Sequence, residues 1–127
     1  MTGKGTELAP KALVVEDEPL IRMGAVDICE SVGFVVSEAA NAEQAIVLLS
    51  TDNAFDLLLT DIDMPGSMDG VALAWRAREF APLIAVIVVS GKMVVPKHEL
   101  PPNSRFFAKP VQEADVRAAI AEMAILR

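Results

Sequence analysis

Short apolar runs alternate along this chain with longer amphipathic stretches. The apolar runs are rich in Val, Leu, Ile or Phe and occupy residues 12–15, 34–39, 56–60, 85–89 and 105–108. Continuous apolar runs of this length are typical of strands buried on both faces of a parallel sheet. The pattern therefore predicts five strands, of which the fifth has the weakest apolar character.

The stretches between the runs predict helices. In the first stretch, apolar residues recur at helical spacing from Leu20 and Ile21 to Val32; Pro19 suits the first turn and Gly33 the end. Asn41 is a candidate N-cap, because Gln44 follows three residues later. The next helix is centred on Val71, Ala74, Trp75 and Arg78, with Leu73, Ala77 and Phe80 on an adjoining face. The last helix is centred on Val116, Ile120 and Met123, flanked by Ala119 and Leu126.

The fourth connection differs from the others, because prolines interrupt it at positions 96, 101 and 102. A proline inside a helix costs about 3 kcal/mol or more, so we predict at most a short turn of helix around residues 96–100. The alternation of strands and helices predicts an α/β fold: a single-domain, doubly wound, five-stranded parallel sheet with a short or irregular fourth helix. Ligands bind such sheets beyond the C-terminal ends of the strands.

Composition narrows the class of protein further. The 127 residues are 53% hydrophobic, enough for one domain to bury its own core. Eleven basic residues against 18 acidic ones give a net charge of −7, which argues against direct nucleic-acid binding and against anionic membranes. The single cysteine, Cys29, excludes an internal disulfide and is expected in the core, whereas the single histidine, His98, is expected in an exposed loop.

The N-terminus carries no apolar targeting segment, and no apolar run approaches the roughly 20 residues of a membrane span. We therefore expect a cytoplasmic protein without a membrane partner. Residues 1–10 are expected to form a flexible tail, and residues 11–127 the domain.

Charged and hydroxyl side chains follow four of the predicted strands. They are Glu16, Asp17 and Glu18 after the first strand, Asp61 and Asp63 after the third, Ser90 after the fourth and Lys109 after the fifth. Converging carboxylates repel one another, and a hard divalent cation such as Mg²⁺ relieves that repulsion. A carboxylate can also attack phosphorus to give an acyl phosphate, whose equatorial oxygens need cationic and hydrogen-bonding partners. The set therefore predicts a site for phosphoryl transfer.

Each of these groups has a structural explanation when it is taken alone. Acidic residues can favour the dipole of the first helix, Asp61 and Asp63 can be turn residues, and Ser90 and Lys109 can be ordinary surface residues. Matching groups at the ends of four separate strands favour the functional interpretation.

Four motifs in this order resemble the receiver domain of two-component response regulators, a flavodoxin-like fold. They are LVVEDEP (13–19), LTDIDMP (59–65) with MDG (68–70), VVSG (88–91) and FFAKP (106–110). The resemblance extends from about Lys11 to Leu126. It implies that a sensor histidine kinase or a histidine phosphotransfer protein donates a phosphoryl group, and that the domain then changes conformation to regulate a target or relay the signal. The activity implied is Mg²⁺-dependent self-phosphorylation from a phosphodonor, rather than enzymatic turnover.

The resemblance also implies a role for each matching acidic residue. Asp61 would be the phosphoacceptor, and Glu16, Asp17, Asp61 and the backbone carbonyl of Asp63 would bind Mg²⁺. Glu16 stands where the family more often has Asp. We expect the side chain of Asp63 to point at the mouth of the site, and we expect Asp63→Asn to change the lifetime of the phosphorylated form.

The remaining implied roles belong to the last two strands. Ser90 and Lys109 would contact the phosphoryl group, and Phe106 would be the aromatic side chain that moves inward as Ser90 is drawn to the phosphate. The peptide bond between Lys109 and Pro110 would be cis. The loop over residues 65–70 is one residue longer than the spacing commonest in the family.

Two other functions remain open. Asp61-Ile62-Asp63 after an apolar strand is similar to the Asp-x-Asp motif of haloacid-dehalogenase-type phosphatases, but in that family the nucleophile follows the first strand and the extra acidic pair comes last. The second alternative is a receiver fold that serves only as a docking surface and is never phosphorylated. The presence of every pocket group argues against it.

Overall fold

The computed structural model describes residues 9–52, 54–92 and 94–123, and within them strands and helices alternate as predicted. The elements are β1 (Lys11–Val15), α1 (Pro19–Ser31), β2 (Val35–Ala39), α2 (Ala42–Thr51), β3 (Leu57–Asp61), α3 (Gly70–Phe80), β4 (Ala85–Ser90), a 3₁₀ turn (Lys97–Glu99), β5 (Ser104–Ala108) and α4 (Glu113–Glu122). The 3₁₀ turn confirms the prediction for the proline-broken connection. Leu126, expected to flank α4, lies outside the described residues.

The five strands form one parallel sheet in the order β2-β1-β3-β4-β5. The central strands β3 and β4 are buried throughout, as predicted. The expectation of burial on both faces is wrong for β2 and β5, where several side chains are exposed or only half-buried. These two strands lie at the edges of the sheet, and each has a strand on one side alone. Val35 on β2 is accordingly 53% exposed.

Side chains that alternate along each strand divide the core between the two faces of the sheet. On one face Leu13, Leu58, Val86 and Val88 pack with residues of α2 and α3. On the other face Val14, Leu57, Leu59 and Ile87 pack with residues of α1 and α4. Cys29 belongs to this second cluster and is fully buried, which confirms its expected place.

The predicted buried face of α1 is wrong in its first turn. Leu20 is 78% exposed and Ile21 is 48% exposed, whereas Val26 and Cys29 are buried. The helix packs on the sheet through its C-terminal half, from Ala25 onward, and therefore its first turn leaves apolar side chains in solvent. Gly33 follows the helix with a φ of +110°, a conformation that suits glycine and ends the helix as expected.

The other helices follow their predicted signals more closely. Asn41 caps α2, since its Oδ1 accepts a hydrogen bond from the Gln44 N–H at 2.8 Å. In α3 the buried positions are Gly70, Leu73, Ala74 and Ala77, so the side that packs on the sheet combines Leu73 and Ala77 of the adjoining face with Ala74 of the first face. Trp75 is half-exposed, and its Nε1–H donates to the Glu99 carbonyl at 2.9 Å.

The expected tail, the single histidine and the apolar character of the helices can also be compared with the structure. Pro10 is buried, and its carbonyl accepts from the Val35 N–H at 2.9 Å, which places it with the sheet and not with the expected tail. Residues 1–8 lie outside the described part of the chain. His98 is exposed, as expected. Among the described residues, none of the helices has both the length and the apolar character that crossing a membrane requires.

Candidate functional site

The sheet brings the predicted site residues to a single edge. Asp61 and Ser90 are the last residues of the neighbouring strands β3 and β4. Glu16 and Asp17 directly follow β1, and Lys109 directly follows β5. Because all the strands are parallel, these side chains meet at the C-terminal edge, as the strand-end rule predicts.

Lys109 lies between two carboxylates. Its Nζ is 2.9 Å from Asp61 Oδ2 and 3.2 Å from Glu16 Oε1. The side chains of Asp61 and Glu16 are 4% and 6% exposed, whereas that of Lys109 is 26% exposed. One partly exposed cation therefore balances two almost completely buried acidic groups.

The electrostatics of this trio favour a charged lysine and resist a charged Glu16. Burial raises the pKa of Glu16 above its ordinary value, and the nearby charge of Asp61 adds to the effect; the Glu18 N–H and Lys109 only partly oppose it. For Lys109, burial alone would lower the pKa, but the hydrogen bonds and charges of Asp61 and Glu16 together outweigh it, and the pKa is raised. The cluster can therefore accommodate a further positive charge.

Asp17 completes an acidic cluster. One carboxylate oxygen from each of Glu16, Asp17 and Asp61 lies within 4.8 Å of the other two. Such a group of hard oxygen ligands, two of them buried and one exposed, fits Mg²⁺, which is bound by few carboxylates and keeps several waters.

Ser90 and Asp63 are joined by a hydrogen bond. The Ser90 hydroxyl is buried and donates to Asp63 Oδ2 at 2.7 Å. The Asp63 N–H in turn donates to Asp61 Oδ1 at 3.1 Å. Asp63 also lines an open pocket of about 480 Å³ together with Asp69 and Lys92. Its carboxylate therefore lies between this pocket and the serine.

Phe106 lies in the middle of β5, three residues before Lys109. It is paired in register with Val88, and its half-buried ring packs against the α2–α3 core cluster. The peptide bond between Lys109 and Pro110 is cis, the conformation expected for it.

Comparison with known proteins decides the family. The model of the response regulator receiver domain matches residues 12–121. The chain belongs to the response regulator receiver domain family. Accepting a phosphoryl group in two-component signalling is the function of this family, and its members bind Mg²⁺ at an acidic pocket. They are not enzymes in the usual sense.

Relatives of this receiver domain occur both as single-domain proteins and as parts of kinases. The chain is 33% identical over 118 residues to the response regulator receiver protein CpdR of Brucella abortus (strain 2308), covering 91% of this chain and 97% of CpdR. It is 38% identical over 91 residues to the sensor kinase CckA of the same strain, covering 69% of this chain but only 10% of the kinase.

Solved structures agree with the fold. A response regulator receiver protein from Sinorhizobium medicae WSM419 superposes with a TM-score of 0.84 at 26% identity, covering 91% of this chain and 94% of that one. The receiver domain of the hybrid histidine kinase CckA gives a TM-score of 0.76 at 28% identity, covering 89% and 97%.

Three contacts that support the acidic pocket of this receiver domain escaped the sequence analysis. Arg22 Nη1 donates to the Glu16 carbonyl at 2.8 Å, and its Nε donates to Glu38 Oε1 at 3.0 Å. Arg22 therefore joins the loop after β1 to the neighbouring strand β2. The available signal was Arg22 itself, the one basic residue of α1, but its partner on β2 could not be read from the sequence.

The other two contacts involve the loop between β3 and α3. A Cβ at Gly70 would lie 2.2 Å from the Asp61 carbonyl oxygen, so the helix begins directly against the strand end that carries Asp61. The lengthened loop is held by Glu43, whose Oε2 accepts from the Ser67 hydroxyl at 2.8 Å and the Ser67 N–H at 3.3 Å. Gly66 turns the loop there with a φ of +111°. The sequence signals for these two contacts were a glycine in the first turn of a helix and a Gly-Ser pair in a long loop.

Proposed function

We propose that Asp61 is the phosphoacceptor of this receiver domain. It accepts the phosphoryl group of a phosphohistidine on a sensor histidine kinase or a histidine phosphotransfer protein. The observation that carries this proposal is the placement of Asp61: a buried carboxylate at the end of β3, 2.9 Å from a lysine ammonium and grouped with two further acidic side chains.

The proposed reaction is a displacement at phosphorus. A carboxylate oxygen of Asp61 attacks, a P–O bond forms, and the P–N bond to the donor imidazole breaks; the imidazole nitrogen leaves with the bonding electron pair and takes a proton from solvent. Lys109 is placed to follow the transferred group, because its ammonium already contacts Asp61 Oδ2. Its raised pKa keeps it positively charged as negative charge accumulates.

Mg²⁺ is the cofactor that the pocket fits. The carboxylates of Glu16, Asp17 and Asp61 would hold it together with the backbone carbonyl of Asp63. When bound, it supplies a second positive charge for the phosphoryl oxygens. Glu16 would have to be ionised, despite its burial, in order to bind the metal. Arg22 holds the backbone carbonyl of Glu16 in place, and the Glu18 N–H holds its side chain.

Ser90 and Phe106 are proposed to convert phosphorylation into a conformational change. Ser90 is the last residue of β4, and its hydroxyl can donate to an oxygen of a phosphoryl group on Asp61, at the end of the adjacent strand β3. Phe106 lies beside Val88, two residues before Ser90, with its ring half-buried. Movement of the serine toward the acceptor would leave space on that side of the sheet for the ring. Such a shift changes the population of two conformations.

Intact-mass spectrometry after incubation with acetyl phosphate and Mg²⁺ tests the acceptor. We expect a gain of roughly 80 Da, the mass of one phosphoryl group, that requires metal and disappears in Asp61→Asn. Asp115→Asn on the exposed face of α4 is the matched control and should keep the adduct. An adduct that persists in Asp61→Asn contradicts the assignment.

Absence of an adduct in the wild-type protein would be resolved with beryllofluoride. A Mg²⁺-dependent change in Trp75 fluorescence on its addition indicates an intact pocket with a short-lived phosphate. No change favours the docking surface that is never phosphorylated.

A further inference from the structure

The hydroxyl of Ser90 already has a strong acceptor. Its Oγ donates to Asp63 Oδ2 at 2.7 Å, a distance typical of a charge-assisted hydrogen bond, and accepts from the Lys92 N–H at 3.1 Å. The serine is 1% exposed. A hydroxyl carries a single proton, and in this arrangement Asp63 receives it.

The proposed phosphoryl acceptor lies next to this pair. Asp61 Oδ1 accepts a hydrogen bond from the backbone N–H of Asp63. Asp63, whose carboxylate binds the serine, is therefore held beside Asp61, whose carboxylate would carry the phosphate. An oxygen of a phosphoryl group on Asp61 would need the same Ser90 proton. The serine can therefore donate to Asp63 or to the phosphoryl group, but not to both.

We propose that Asp63 is a positioning residue that competes with the phosphoryl group for the Ser90 proton. This inference rests on the proposed function and deepens it. Asp63 stabilises the unphosphorylated arrangement of Ser90, and its hydrogen bond must break before the serine reaches the phosphate. The Lys92 N–H can remain on Ser90 Oγ in either arrangement, because it uses a lone pair of the oxygen and not its proton. The acidic residue thus sets how far phosphorylation shifts the conformation.

Binding of beryllofluoride in the presence of Mg²⁺, followed by ¹⁹F NMR titration, measures this competition. Four proteins are compared: wild type, Asp63→Ala, Ser90→Ala and the double variant. Asp63→Ala should bind the analogue about tenfold more tightly, the factor that corresponds to 1.4 kcal/mol, which lies close to the lower end of the net contributions of hydrogen bonds to charged groups. Ser90→Ala should bind more weakly, and Asp63→Ala should have no further effect in that background.

Two more variants keep the test independent of folding defects and of net charge. Asp63→Asn preserves the shape of the side chain and a neutral acceptor oxygen, and it should tighten binding less than Asp63→Ala. Asp69→Asn removes a carboxylate from the same open pocket while Asn still caps α3, as Asp69 does through the Ala72 N–H. Its affinity should stay within about twofold of wild type, since the side chain of Asp69 is engaged in capping α3.

The possible results separate the explanations. If Asp63→Ala tightens binding equally in the wild-type protein and in the Ser90→Ala variant, the carboxylate repels the analogue directly, and the competition is overturned. Unchanged affinity in both Asp63 variants would overturn it as well. A wild-type protein that binds no beryllofluoride would refute the proposed phosphoacceptor site itself, and the inference with it.

Discussion

Replacing Lys109 by methionine should destabilise the metal-free protein. The lysine ammonium contacts Asp61 at 2.9 Å and Glu16 at 3.2 Å, and both carboxylates are almost completely buried. Methionine matches the length of the stem but carries no charge. The substitution therefore leaves two buried acidic groups facing each other without their shared cation.

The magnitude follows from the exposure of the three side chains. Removing one partner of a buried ion pair costs about 3–5 kcal/mol. Because the Lys109 side chain is 26% exposed, solvent screens part of the interaction, and we expect a loss of about 2–3 kcal/mol. In a chain of this length 1 kcal/mol lowers Tm by about 4 °C, so the expected fall is about 8–12 °C.

The loss should depend on pH in a defined direction. Burial already raises the pKa of Glu16 above 4.5, and removal of the lysine raises it further. A carboxyl group whose pKa is higher in the folded than in the unfolded protein binds its proton more tightly when folded. Stability therefore falls as pH rises from the ordinary value of Glu16 through its raised one. The variant should lose less at about pH 5 than at about pH 8.

Thermal unfolding followed by circular dichroism, with and without Mg²⁺, is the assay. Mg²⁺ should restore most of the lost Tm, because it returns positive charge to the same carboxylates, and the rise on its addition should exceed that of wild type. Lys97→Met, on the exposed 3₁₀ turn, is the control and should change stability by less than about 0.5 kcal/mol. An unchanged or higher Tm for metal-free Lys109→Met at about pH 8 would refute the reasoning.

Further predictions concern two helix glycines, the acidic pocket and the buried cysteine. Gly70→Ala should lower the free energy of unfolding by about 1–3 kcal/mol or more, because its Cβ would lie 2.2 Å from the Asp61 carbonyl. Gly24→Ala, in the interior of α1, where the new Cβ would have no packing partner within 4 Å beyond its chain neighbours and the backbone of its own helix, should raise it by about 0.5–1 kcal/mol; urea titration measures both. Mg²⁺ affinity, measured by calorimetry, should fall as pH drops through the raised pKa of Glu16, because the protonated carboxyl is a poor ligand; a flat affinity would exclude Glu16 as a ligand. Burial raises the pKa of Cys29 to about 12, so iodoacetamide should leave the native thiol unmodified and label it only after unfolding; mass spectrometry distinguishes the two states.

The pattern of apolar residues predicts the central strands well and the edges poorly. Residues 57–60 and 85–89 form strands that are buried throughout, as their unbroken apolar character indicates. Val35 belongs to a similar run but is 53% exposed, because β2 has a neighbouring strand on one side only. The burial predicted for Leu20 and Ile21 is wrong for a related reason: helical spacing shows which residues share a face, but not which turns of α1 lie over the sheet.

Prediction of the site is limited in the same way: local sequence signals predict which residues belong to it, but not which of them contact each other. Asp61, Ser90 and Lys109 could be expected together because each comes at the end of a parallel strand, which is a local signal. The contact between Lys109 and Glu16 joins residues 93 positions apart, and the hydrogen bond between Ser90 and Asp63 joins residues 27 apart. Such distances depend on register and side-chain orientation, which no spacing rule contains.

The connection between β4 and β5 packs in a way that its sequence does not predict. Its prolines exclude a full helix, yet Val95 and Leu100 are buried against the α2–α3 core cluster, where a helix could have packed. Side chains of α3 bind the backbone of this segment: Trp75 Nε1–H donates to the Glu99 carbonyl and Arg78 to the Pro102 carbonyl. Ser90 directly precedes the segment, and Phe106 is the third residue of β5, the strand that follows it. A shift of the serine and a movement of the ring would therefore act at the two ends of an irregular segment anchored to α3, a constraint that arises from packing and not from any motif.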